Sequence, residues 1–150
     1  MPIIRELIRT SVRMDNRPLH RDIVNLQRLN NEILSPLELI ACSYFVTSGF
    51  RSVEVNKAVG GHPKSAHMEG RAADIVPLGK KLTIVGMMRV IILSALKFDK
   101  VIFEAPNDTA WIHIQIPKNS AIPRKKAFMC VKPNCFIPWD DNNEKVKDYE

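Results

Sequence analysis

The stretch Trp111-Ile112-His113-Ile114-Gln115 decides the fold. Side chains of a strand point alternately to opposite faces, so Trp111, His113 and Gln115 share one face and Ile112 and Ile114 the other. A strand patterned this way belongs to a sheet with an apolar face that helices can cover and a polar face that can carry a site. Upstream, Lys100 to Phe103 is a second β-type run. The residues between, Ala105-Pro106-Asn107-Asp108-Thr109, are turn formers, which predicts an antiparallel hairpin or near neighbours. Ala72 to Val76, ended by Pro77, and Tyr44 to Thr47 read as two more strands.

Helical spacing fills the intervals. Ile23, Leu26, Leu29, Ile33 and Leu34 recur along one face from about His20. Ser35-Pro36-Leu37-Glu38 reads as a capping box with proline at the first helical position, which predicts a restart there. Ser52 caps a short helix through Val59, stopped by Gly60-Gly61. Thr83 to Leu96 has the apolar period of a fourth helix, and His62 to Gly70 has none and reads as a loop. Residues 1–15 show no clear period. Beyond Pro117 the prolines Pro123, Pro133 and Pro138 and the basic run Arg124-Lys125-Lys126 predict little regular structure, with a fraying end over Asp140 to Glu150. The expected fold class is α+β, a small, mostly antiparallel sheet with helices packed on one face and a site on the other. The expected organisation is one domain over residues 1–116 and a proline-rich, basic, partly irregular extension over residues 117–150.

Bulk properties exclude little. A chain of 150 residues, 45% hydrophobic and 25% charged, can bury a core. The net charge of +6 suits a nucleic-acid binder, an enzyme drawn to an anionic polymer, or a merely basic protein. Three cysteines, Cys42, Cys130 and Cys135, do not make a disulfide framework and read as ordinary reduced thiols. No apolar run approaches the ~20 residues of a membrane span. The start Met-Pro-Ile-Ile-Arg-Glu lacks a signal-peptide pattern, so synthesis in the cytoplasm is expected.

The chemistry-bearing residues lie on the predicted polar face and the loop before it. His67 falls at a loop end, Asp74 on a strand and His113 on another. Two imidazoles and a carboxylate can hold a catalytic zinc, leaving a fourth tetrahedral position for water. Generic ligand rules do not single out this triple, because a lone strand histidine is more often a hydrogen-bonded structural residue. The local pattern is far more specific. Ser48-Gly49-Phe50-Arg51-Ser52 is followed by Asn56, then Val59-Gly60-Gly61. Next come Ser65, His67, Gly70, Ala72 and Asp74-Ile75, spaced SxHxxGxAxDI, and last Glu104 and Trp111-Ile112-His113.

This series closely resembles the M15 zinc peptidases, which include D-Ala-D-Ala carboxypeptidases and dipeptidases and phage endolysins that cut peptidoglycan peptides. A similar metal core occurs in the signalling domain of hedgehog proteins. The resemblance is strongest over residues 26–116. It implies Zn²⁺ held by His67, Asp74 and His113. It implies a base at Glu104, with Asp108 as the alternative, because the position three before the last histidine, acidic in some members, is Ala110 here. Arg51 matches an arginine that faces substrate, although an arginine there can equally form a structural salt bridge. Ser65 matches a serine that bonds substrate or the ligand loop. Gln115, on the same face, can contact substrate or support a ligand. His62 reads as an exposed loop residue.

The implied activity is zinc-dependent hydrolysis of peptidoglycan stem peptides by a carboxypeptidase or endopeptidase, a class that includes the lytic enzymes of phages. Such a protein would be a monomer that acts on the wall after release or as part of a virion, with no nucleic-acid partner. The alternative, kept open by Ala110, is a metal-binding but non-catalytic virion or wall-binding module.

Overall fold

The computed structural model describes residues 4–119 and 121–150. A short helix α1 (Ile4–Leu7) leads into α2 (His20–Leu29), a π-helical turn (Asn30–Leu34) and α3 (Ser35–Ile40). The strands are β1 (Tyr44–Ser48), β2 (Ala72–Pro77), β3 (Lys100–Glu104), β4 (Trp111–Gln115), β5 (Lys126–Lys132) and β6 (Cys135–Pro138). Helices α4 (Val53–Ala58), α5 (Ile84–Leu93) and α6 (Glu144–Lys147) complete the chain, with a 3₁₀ turn (Ala66–Glu69) before β2. The strands form one sheet in the order β1-β2-β4-β3-β5-β6. Neighbours are antiparallel except β3 and β5. The α+β class and the mostly antiparallel sheet are as the sequence predicts.

The alternation read from β4 sorts the whole sheet. Ala73, Ile75, Val101, Phe103, Ile112 and Ile114 are fully buried and join Leu26, Leu29, Ile33, Val85, Met88 and Ile91 of the helices in one core. A Leu or Ile buried this completely contributes about 1.5–3 kcal/mol, so this face holds the sheet and helices together. The opposite face carries Asp74, Glu104, His113 and Gln115.

Two expectations are corrected. Ser35 does not cap a new helix. Its N–H donates to the carbonyl of Asn30, five residues back, and helical structure runs on from α2 through α3. Pro36 has no N–H and its ring crowds the carbonyl four residues back. The widened π-helical turn just ahead of it lets the helix continue. The real cap lies at the start of α2, where the Asp22 carboxylate accepts from Leu19 N–H at 2.9 Å.

The second correction concerns the little regular structure expected beyond Pro117, where the chain carries β5, β6 and α6 between irregular stretches. Pro133 falls in the turn between β5 and β6, and Pro138 closes β6 at the sheet edge, where no ladder donor is needed. Val146 is fully buried, and Trp139 and Tyr149 meet the Phe103 ring edge-on, with centroids 5.9 and 5.8 Å away. The segment therefore packs over the apolar face.

Candidate metal centre

His67 is aimed by backbone on both sides. Ser65, in extended conformation, accepts from His67 N–H through its hydroxyl and starts the 3₁₀ turn. Gly70 ends it at φ +70°, pressed so closely on α2 that a Cβ would lie 2.4 Å from the Asp22 carbonyl oxygen. The ring Nδ1–H donates to the Gly49 carbonyl at 2.7 Å, which leaves the Nε2 lone pair free. Gly49 has no room for a side chain: a Cβ would fall 2.0 Å from the Leu7 carbonyl oxygen.

The N-terminal segment, ambiguous in sequence, is what holds this loop. Phe50 N–H donates to the Leu7 carbonyl at 2.6 Å. Asn16 donates to the Ile8 and Phe50 carbonyls and accepts from Ser52 N–H. Sequence reading missed Asn16 because its partners are 8 to 36 residues away.

Asp74 and His113 face each other as register partners on β2 and β4. His67 Nε2 lies 3.1 Å from Asp74 Oδ1 and 3.2 Å from His113 Nδ1, and His113 Nδ1 lies 3.1 Å from Asp74 Oδ1. All three residues are buried. A tetrahedral zinc with ligands at 2.0–2.1 Å separates its ligand atoms by about 3.3 Å, so this triangle of nitrogen and oxygen atoms fits a small divalent cation. Among the described residues, His67, Asp74 and His113 form the group able to do this.

The protonation pattern agrees with a shared cation site. Burial alone raises the Asp74 carboxyl, but the charges and hydrogen bonds of the two imidazoles outweigh it and hold Asp74 below the usual carboxylate range. Burial pushes His67 below the ordinary imidazole value. Burial also depresses His113, but Asp74 overrides it and leaves His113 raised.

The remaining site residues surround this triangle. Arg51 Nη2 donates to Asp74 Oδ2 at 3.1 Å, and its Nε donates to Ser48 Oγ at 2.9 Å. It is thus paired to a ligand carboxylate while its side chain stays 17% exposed. Glu104 ends β3 opposite Trp111 of β4. Burial, then the charge of Asp74, raises the Glu104 carboxyl above its ordinary value, against the pull of His113 and Arg51. Asp108 lies exposed in the β3–β4 connection, and its carbonyl accepts from the Tyr149 hydroxyl. Gln115 is buried, and its Oε1 accepts from His113 Nε2–H at 3.0 Å, which leaves Nδ1 to face the triangle. His62 caps its own loop through Nδ1, which accepts from Lys64 N–H.

No curated protein matches the chain in sequence. The family model described as Peptidase M15 matches residues 14–115, an interval that spans β1 to β4 and takes in Arg51, His67, Asp74, Glu104 and His113. With that interval covering most of the chain and the whole buried His-Asp-His group, the protein belongs to the peptidase M15 family, whose members are metal-dependent peptidases.

Proposed function

We propose that the protein is a zinc-dependent peptidase that cleaves the stem peptides of peptidoglycan, as a carboxypeptidase or endopeptidase. The observation that carries this reading is the 3.1–3.2 Å triangle of His67, Asp74 and His113 with a second carboxylate, Glu104, and a guanidinium, Arg51, beside it. Zn²⁺ bound there supplies Lewis acidity and brings the pKa of water near neutrality. The likeness of the SGFRS, SxHxxGxAxDI and WIH segments to wall-cutting M15 enzymes supports the substrate class.

The chain's own residues supply the rest of the chemistry. Glu104 takes the proton of the attacking water on its carboxylate and returns it to the leaving amine. Its raised proton affinity suits both halves of that task. Arg51, fixed by Ser48 and Asp74, offers positive charge to a peptide carboxylate or to a carbonyl gaining charge. Ser65 holds the His67 turn through its hydroxyl. Gln115 supports His113, and substrate contact through Gln115 has little support because its side chain is buried.

The burial and neighbours of Glu104 favour it over Asp108 as the base, and they supply the acid that Ala110 does not. No described helix is long and apolar enough to cross a membrane. A monomer made in the cytoplasm and acting on the wall after release, or from a virion, is the setting that fits this reading.

Glu104→Gln tests the assignment. The variant is expected to keep its zinc and to lose at least about 100-fold in release of new amino groups from purified peptidoglycan. Asp108→Asn is expected to retain activity. Undiminished release by Glu104→Gln would remove Glu104 from the mechanism.

A further inference from the structure

A cavity of about 180 Å³ lies against Arg51, where the N-terminal segment meets the end of β1 and α4. Its polar lining is Arg9, Thr10, Ser11, Thr47, Ser48 and Arg51. The rest of the lining is apolar, and no described residue around it is acidic. The Thr10 and Ser48 hydroxyls already accept, from Val12 N–H at 3.1 Å and Arg51 Nε at 2.9 Å, so each keeps its own proton to give. Two guanidiniums and donor hydroxyls with no carboxylate among them make a hollow suited to an anion.

Neither arginine is spent within the protein. Arg51 gives Nε to Ser48 and Nη2 to Asp74, and its Nη1 has no hydrogen-bond partner among the described residues. Arg9 makes no ion pair among the described residues. Its guanidinium lies over the Phe45 ring, 5.0 Å from the centroid, which holds the charge without neutralising it. Phe45 pairs with Val76 and Ser48 with Asp74 across β1 and β2. Val76 and Asp74 share one face of β2, so Phe45 and the arginine stacked on it stand on the metal side of the sheet. Arg9, Thr10 and Ser11 precede residue 14, where the family match begins.

We propose that this cavity is a carboxylate subsite of the peptidase, in which Arg9 joins Arg51 to hold a free carboxylate of the peptide being cut. Arg51 ties the two places together, since it lines the cavity and bonds the candidate ligand Asp74. A carboxylate at the chain end and one on an acidic side chain share this chemistry. The proposal rests on the peptidase reading above, and its test is separable from that reading.

Three small probes separate the possibilities: N-acetyl-D-alanine with a terminal carboxylate, N-acetyl-D-glutamic acid α-amide with a side-chain carboxylate, and N-acetyl-D-alaninamide with none. Their dissociation constants are read by ¹H–¹⁵N NMR titration of the intact protein with zinc present. Wild type is expected to bind at least one of the two acids about 10-fold or more tighter than the amide, with shifts at the Thr10, Ser11 and Ser48 N–H signals. The acid bound more tightly tells which carboxylate the subsite takes. Arg9 is exposed, so Arg9→Gln is expected to fold and to lose most of the preference. Arg5→Gln removes an exposed cation outside the cavity and is expected to keep it. A preference that survives in Arg9→Gln, as direct ligation of the acid by zinc would give, overturns the proposal. So does a wild type that binds acids and amide alike. Binding is read without turnover, so a carboxylate preference without hydrolysis of peptidoglycan would keep the subsite and sink the peptidase reading. Hydrolysis without the preference would do the reverse.

Discussion

Three acceptor atoms within 3.2 Å of one another are stable only if something positive lies among them. In the metal-free chain that is a proton, and His113 carries it more readily than an ordinary imidazole because of Asp74. Metal must displace this proton, so acidity and cation compete for one place. The sign follows from the raised His113 value: protonation sets in above the usual histidine pKa of about 6.5. Zinc affinity, followed by chelator competition, is expected to fall steadily as pH drops from 7.5 to 5.5. A flat affinity across that interval would mean that His113 is not a ligand.

The residues around the triangle explain how its atoms are brought together. Gly49 and Gly70 let backbone approach where a Cβ would collide with Leu7 or Asp22. Arg51 balances the outer oxygen of Asp74. The candidate ligands and Arg51 were legible through the resemblance of the motifs that carry them, which generic ligand rules alone do not replace. Gln115 was visible as a member of the polar face.

At the scale of elements, legibility followed the clarity of the period. Strand β4 and helices α2 and α5 were readable because apolar residues recur at 2.0 or 3.6 along them, β1 to β3 as runs of β-favouring residues, and α4 from its Ser52 cap and its Gly60-Gly61 stop. The passage at Ser35-Pro36 misled because proline suits a first helical turn, while tertiary packing of Ile33, Leu34 and Leu37 keeps the helix going. Strands β5 and β6 were hidden by the prolines beside them and by the lysines at both ends of β5. Helix α6 has four residues, too few for any period. Its place in the core gives a direct check. Val146→Ala removes buried methyl groups and is expected to cost about 2 kcal/mol, read as a lowered Tm. An unchanged Tm would mean that the C-terminal segment does not close over Phe103.

For the whole molecule, the sheet separates two tasks. One face is covered by helices and supplies the stability. The other, from Asp74 through His113 to Glu104, gathers the polar groups, and loops anchored by α1 and α2 complete the site from its β1 side. A net charge of +6 would draw such an enzyme to an anionic wall polymer before any specific contact is made. The central claim is that His67, Asp74 and His113 hold a metal that the hydrolysis of wall peptides requires. Release of new amino groups from purified peptidoglycan, followed with intact protein, with chelator, and with zinc restored, tests it most directly. Release that chelator abolishes and about one equivalent of zinc per chain restores is the result predicted. Release that continues undiminished in chelator would contradict it.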